Sequence, residues 1–173
     1  VIRSANAGTS GTSGMLVFST GTSSAGNSGG LIIGSGAATG GRGGMVTISA
    51  GSGTSGMGGA LSVLSGRSTV NTGGQLSVES GEGTATSSGV IAVRSANSGA
   101  AGVSGRLVFS SGSAVSGNTG ALFVGSGVAT GGRAGMVSIS VGSGTSGTGG
   151  ALSVLSGRST VNSGGSLSLE SGE

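Results

Sequence analysis

The segment Gly58-Gly59-Ala60-Leu61-Ser62-Val63-Leu64-Ser65-Gly66-Arg67-Ser68-Thr69-Val70-Asn71 recurs unchanged from Gly149 to Asn162. It belongs to a 91-residue repeat, because residues 1–82 align with residues 92–173 without a gap and 58 of these 82 positions are identical. Repetition of this kind is the signature of a repeat architecture. We therefore interpret residues 1–173 as one continuous segment with the repeats 1–91 and 92–173, the second incomplete. Because the chain starts inside a repeat unit, we expect it to be part of a longer protein.

A 15-residue period lies inside the longer one. Its marker is an apolar-x-apolar triplet, whose first residue we number place one of each repeat unit. Gly occupies places six and fourteen of nearly every unit, and Thr is usual at place nine. The triplets are Leu16/Phe18, Leu31/Ile33, Val46/Ile48, Leu61/Val63, Leu76/Val78, Ile91/Val93 and, after one step of 16, Leu107/Phe109, Leu122/Val124, Val137/Ile139, Leu152/Val154 and Leu167/Leu169.

This pattern predicts a fold. Apolar-polar-apolar alternation is typical of a strand, because successive side chains point to opposite faces. Glycines at fixed offsets indicate corners with a positive φ or with no room for a Cβ. The expected fold is therefore all-β, a β-solenoid with about 15 residues per coil and parallel, in-register stacked short strands. The expected corner glycines at place six are Gly36, Gly51, Gly66, Gly81, Gly127, Gly142 and Gly157.

The charged residues favour one repeat unit per coil. Equivalent places of stacked coils would lie about 4.8 Å apart, and opposite charges occupy equivalent places in consecutive units. A coil of 30 residues and an antiparallel meander remain as alternatives. The predicted stacked pairs are Arg67 with Glu82, Glu79 with Arg94, and Arg158 with Glu173.

One unit departs from the pattern. At its place six the glycine is replaced by Ala96, followed by Asn97, and one extra residue precedes Leu107. A bulge or an altered corner would absorb the extra residue. This irregular unit is either a tolerated insertion or a docking or lateral contact site.

Composition excludes several classes of function. Gly supplies 44 residues, yet hydrophobic residues make up 34% and charged residues 6%, a balance opposite to that of disordered chains. The seven basic residues are dispersed arginines and aromatic residues make up 2%, so neither the basic cluster nor the stacking platform of a nucleic-acid site is present. No apolar run is long enough for a membrane span.

Two motifs resemble catalytic or cofactor sites. Gly51–Gly56 and Gly142–Gly147 fit G-x-G-x-x-G, but neither a helix nor an acidic residue about 20 positions onward follows, as a dinucleotide site requires. Gly26–Gly30 fits G-x-S-x-G, but the chain has no His and no Lys to act as a base. Without Cys, His or Asp there is also no metal-ligand pattern. We therefore predict no catalytic, metal or cofactor-binding residues, and no enzyme.

The leading hypothesis is a structural repeat protein that forms an extracellular or cell-surface filament, adhesive or matrix fibre. Its expected partners are other copies of itself, joined end to end or laterally, and also glycans or surfaces. No signal peptide is visible in the sequence. Units such as Gly-Ala-Leu-Ser-Val-Leu-Ser-Gly (59–66) resemble the Ser/Gly-rich repeats of secreted proteins from diatoms and related algae, and this resemblance implies an extracellular fibrous role.

Two alternatives belong to other classes. The Thr column at place nine suggests an ice-binding β-solenoid, although the second column that such surfaces usually need is missing: place seven holds Ala37, Ser52, Arg67 and Glu82. The other alternative is the shaft of a phage or bacterial adhesin, which predicts trimers.

Overall fold

The computed structural model describes residues 1–172, and this part of the chain contains no α-helix and no β-strand. The predicted all-β solenoid with parallel, in-register strands is therefore wrong. The 30-residue coil and the antiparallel meander are wrong for the same reason, because both consist of strands. The chain divides into two parts, Val1–Val90 and Ile91–Glu173. The organisation into repeats 1–91 and 92–173 of one continuous segment stays a prediction.

The described residues do not form a hydrophobic core. None of residues 1–172 is buried, and only Ser4, Ala7 and Gly83 are partly buried. The accessible surface is 16972 Å². A folded monomer of this mass would expose about 7,300 Å² and the unfolded chain about 22,600 Å². The surface is thus closer to that of an unfolded chain than to that of a folded one.

The backbone nevertheless repeats with the 15-residue period of the sequence. Three-residue bends recur at places nine to eleven, separated by bend-free segments of twelve residues except for the thirteen residues 87–99 before the turn of the irregular unit. The threonines of place nine therefore open the bends. In the first part the bends are 9–11, 24–26, 39–41, 54–56, 69–71 and 84–86; in the second part they are 115–117, 130–132, 145–147 and 160–162, preceded by a turn at 100–102.

Each bend lies in a nine-residue loop that runs from place six to place fourteen. In five of these loops the N–H of place fourteen donates a hydrogen bond to the carbonyl of place six. Compact surface loops whose ends lie close together are a known class of irregular structure. The five closing bonds are Gly59 to Gly51 at 2.8 Å, Gly74 to Gly66 at 2.8 Å, Gly89 to Gly81 at 2.9 Å, Gly150 to Gly142 at 3.1 Å and Gly165 to Gly157 at 2.8 Å.

These bonds differ from those of the predicted solenoid. A solenoid needs hydrogen bonds between equivalent places of consecutive units, whereas the recorded bonds join residues of the same unit. Stacking would also have to order a chain with 44 glycines, the residue that loses the most conformational freedom on folding. The few aliphatic side chains of each unit supply the only sizeable apolar area to offset that loss.

Candidate interaction surface

The apolar triplets are exposed in every repeat unit. Side chains at place one are 48–60% exposed, and those at place three are 59–84% exposed. The lowest value belongs to Leu107 and the highest to Leu169. Isolated exposed apolar residues are normal in proteins, whereas contiguous apolar surface marks sites of interaction. Each unit thus exposes an apolar side chain at place one and another at place three.

The loops between the triplets differ at place eight, which holds Ser, Gly or Ala. Where it holds Ser, the side chain accepts hydrogen bonds from the backbone of the bend. Ser68 Oγ accepts one from the N–H of Asn71 at 2.9 Å and another from the N–H of Val70 at 3.4 Å. Ser and Thr hydroxyls commonly stabilise turns in this way. The other bonds of this kind join Ser159 to Asn162 at 2.8 Å and to Val161 at 3.3 Å, and Ser23 to Gly26 at 3.0 Å.

Where place eight holds Gly, the backbone approaches too closely for a side chain. A Cβ on Gly53 would lie 2.7 Å from the carbonyl oxygen of Gly56 and 2.8 Å from that of Met57. Gly144 has the same surroundings, with distances of 2.7 and 2.9 Å, and a Cβ on Gly83 would collide with the carbonyl group of Ser87. Contacts this short cannot be made without moving the backbone.

Where place eight holds Ala, the backbone bond between places six and fourteen is missing among the described residues. This applies to the loops 36–44, 112–120 and 127–135. In the first of them a side chain joins the two ends instead, because Ser35 Oγ donates to the carbonyl of Gly44 at 2.7 Å. The loop 21–29 has Ser23 at place eight but also lacks the closing backbone bond; it is joined in the same way by a bond from Thr20 Oγ1 to the carbonyl of Gly29 at 3.1 Å.

The glycines of place fourteen lie close to place five. A Cβ on Gly59 would lie 3.3 Å from the Cβ of Ala50, and one on Gly44 would lie 2.9 Å from the Cβ of Ser35. A side chain at place fourteen would therefore separate the ends of the loop. The lack of a Cβ matters most at Gly44 and Gly150, where the nearest atom would lie 2.9 Å away, whereas at Gly29 and Gly120 the nearest atom would lie 3.7 Å away.

The glycines of place six were predicted at corners that need a positive φ or leave no room for a Cβ, and these glycines show neither feature. Among residues 1–172 only Gly11 has a positive φ, and a Cβ at place six would meet no atom within 4 Å. In most of these loops the structure uses the place-six carbonyl as the acceptor of the closing bond. The glycines concerned are Gly36, Gly51, Gly66, Gly81, Gly127, Gly142 and Gly157.

The predicted charge pairs were expected to be aligned by stacked coils, and residues 1–172 do not form such coils. Arg67 with Glu82, Glu79 with Arg94 and Arg158 with Glu173 therefore stay a prediction, and Glu173 lies outside the described residues.

Two glutamates accept hydrogen bonds from serines of their own triplet segments. The donor to Glu79 Oε1 is Ser77 Oγ at 2.9 Å, and the donor to Glu170 Oε1 is Ser168 Oγ at 2.8 Å. An exposed carboxylate has acceptor capacity beyond one such bond.

The irregular unit contains a shallow cavity of about 300 Å³, lined by Arg94, Ser95, Ala96 and Asn97. The extra residue of this unit moves its turn one place toward the C-terminus, to 100–102, where the N–H of Gly102 donates to the carbonyl of Gly99 at 3.3 Å. Whether Ala96 and Asn97 form a contact site stays a prediction.

The motifs that resemble catalytic sites are parts of the loops. Gly51–Gly56 runs from the closing carbonyl of one loop to the last residue of its bend, and Gly53 is the glycine of place eight. Within residues 1–172 no group of three or more His, Cys, Asp or Glu side chains is placed to hold a metal ion. The part of the chain that the structure describes also contains no helix long and apolar enough to cross a membrane.

Sequence reasoning did not recognise the role of place eight. The available signal was the segment Arg67–Asn71, whose recurrence at 158–162 preserves the serine and both of its N–H partners. Among known proteins, no family model, no curated protein and no solved structure matches this chain.

Proposed function

We propose that this chain is a structural repeat protein that builds an extracellular fibre, adhesive or matrix by associating with other copies of itself. The observation that carries the proposal is the exposure of the triplet side chains, at 48–84% in every unit. Their burial between copies would contribute about 25 cal/mol for each Å² removed from water.

Repetition increases the effect of each weak contact. A copy that binds through one triplet holds its other triplets near those of its partner, so that further contacts form at a high effective concentration. A chain with many equal, weak sites therefore suits an extended assembly. The sequence contains eleven such triplets.

The experiment measures association as a function of chain concentration, by light scattering and negative-stain electron microscopy. We expect the unmodified chain to form fibres or networks above a threshold concentration. The variant Leu61→Ser/Leu152→Ser removes two place-one side chains and should raise that threshold by at least about tenfold, since each buried Leu contributes about 1.5–3 kcal/mol.

The matched control is Leu64→Ser/Leu155→Ser. It removes the same residue type from the same two units, but at place four, where most units are polar. Leu64 and Leu155 are 82% and 83% exposed, and we expect their replacement to change the threshold less. A chain that stays monomeric at every accessible concentration would overturn the proposal.

A further inference from the structure

We infer that neighbouring copies associate side by side in parallel, displaced from one another by one 15-residue unit. This inference rests on the proposed self-association and adds its register. The partner is a second copy of this chain.

The repeat units are interchangeable along the chain. Triplets, bends and place-six carbonyls recur at the same places of the 15-residue units. Two parallel copies can therefore be displaced by one unit with all but one of the triplets still beside a triplet. Apolar contacts alone would allow displacement by any whole number of units, so a further interaction is needed to favour one displacement over the others.

The charged residues provide that interaction. With the displacement of one unit, Arg67 at place seven of one copy lies beside Glu82 at place seven of the next. The same displacement, in the same direction, brings Glu79 beside Arg94 at place four. Without displacement each of these residues would meet its own like charge, which is unfavourable across a paired interface.

The other charges are compatible with this register. At equivalent places of the next unit, Arg42 meets Met57, and Arg133 meets Thr148. Both partners are neutral, so neither contact is repulsive. The charged residues that would form the pairs are exposed in the structure: Arg67, Glu79, Glu82 and Arg94.

A second displacement also brings some of these charged residues beside residues of opposite charge. A displacement of five units brings Glu82 beside Arg158 and Arg94 beside Glu170, because six units complete the 91-residue repeat. It leaves only about half of the triplets opposite a partner, whereas a displacement of one unit leaves all but one of them. The larger apolar area favours the displacement of one unit.

The consequence is an assembly that does not close. Each copy uses one set of surfaces toward its predecessor and another toward its successor, which is a heterologous contact. Heterologous contacts without a closing rotation generate open-ended assemblies. The charge pattern thus favours continued growth over a closed dimer.

The experiment uses introduced cysteines, since the chain has none. Thr47 and Ser62 are neutral, exposed residues at place two of consecutive units. In a mixture of Thr47→Cys chains with Ser62→Cys chains, we expect disulfides between the two variants to form at least several-fold faster than disulfides within either variant. A mixture of Ser62→Cys with Ala92→Cys, two units apart, is the matched control and should crosslink slowly.

Charge reversal provides the second measurement. Arg67→Glu should weaken association about two- to fivefold, and Arg67→Glu combined with Glu82→Arg should restore it, because an exposed ion pair contributes about 0.2–1 kcal/mol. Association with disulfides mainly between identical positions would overturn the register and leave the proposed function intact. Absence of association in all samples would overturn the proposed function itself.

Discussion

The loops 66–74 and 127–135 occupy the same places of their repeat units but differ in how their ends are held. The first has Ser68 at place eight, whose hydroxyl accepts two backbone hydrogen bonds, and its ends are joined by a bond of 2.8 Å from Gly74 to Gly66. The second has Ala129 at place eight, and the structure records no backbone bond between its ends.

The difference shows that the residue at place eight contributes to closure of the loop. It does not act alone, because the loop 21–29 has Ser23 at place eight and its ends are joined only through Thr20. A serine supplies an acceptor for the bend, and a glycine lets the carbonyl groups of places eleven and twelve approach. Alanine does neither, because its methyl group cannot accept a hydrogen bond and occupies the space that the carbonyls need. The side chain at place eight is therefore one determinant of the closing backbone bond, and the side chain at place five can join the ends where that bond is missing.

The largest effect is expected from Gly53→Ala. The new methyl group would lie less than 3 Å from two carbonyl oxygens, so the loop 51–59 must open and the bond from Gly59 to Gly51 is lost. Loss of a net bond of about 1–1.5 kcal/mol should speed hydrogen exchange of the Gly59 amide roughly tenfold. The matched control is Gly51→Ala, because a Cβ there meets nothing within 4 Å. Equal acceleration in both variants would contradict steric control by place eight.

A smaller effect is expected from Ser68→Ala. The bend loses the hydroxyl that accepts from Asn71 and Val70, and the loop 66–74 should come to resemble the alanine loops. The expected acceleration of Gly74 amide exchange is about fivefold, for a loss of about 1 kcal/mol. Ser68→Thr keeps a hydroxyl and serves as the control. An unchanged Gly74 exchange rate in Ser68→Ala would show that the hydroxyl does not support closure.

The smallest effect is expected from the reverse change, Ala129→Ser. The new hydroxyl can accept from the bend at 130–132, and the loop 127–135 should close part of the time. We expect exchange of the Gly135 amide to slow about twofold, measured by NMR. In the same spectra the Gly120 amide, which belongs to another alanine loop, should keep its rate. If Gly135 exchange is not slowed, closure needs more than an acceptor at place eight.

The predictions made from the glycines and from the apolar triplets had different outcomes. The glycines at places six and fourteen were expected at corners, whereas the bends lie between them at places nine to eleven; Gly59 instead takes part in loop closure through its bond to Gly51. The triplet Leu61/Val63 was expected in a strand, and it lies in a bend-free segment without a ladder partner. A corner depends on nearby residues, whereas a strand depends on a second segment to receive its hydrogen bonds.

The sequence by itself determined the period and the places of the apolar side chains, because these depend on residues close together in the chain. The tertiary structure decided which groups satisfy the backbone. It joins Gly59 to Gly51 within one unit instead of joining equivalent places of consecutive units, and so leaves the triplets exposed. The physical reason is that alternation fixes only the direction in which side chains point, while the hydrogen-bond partner is chosen by competition between local closure and stacking.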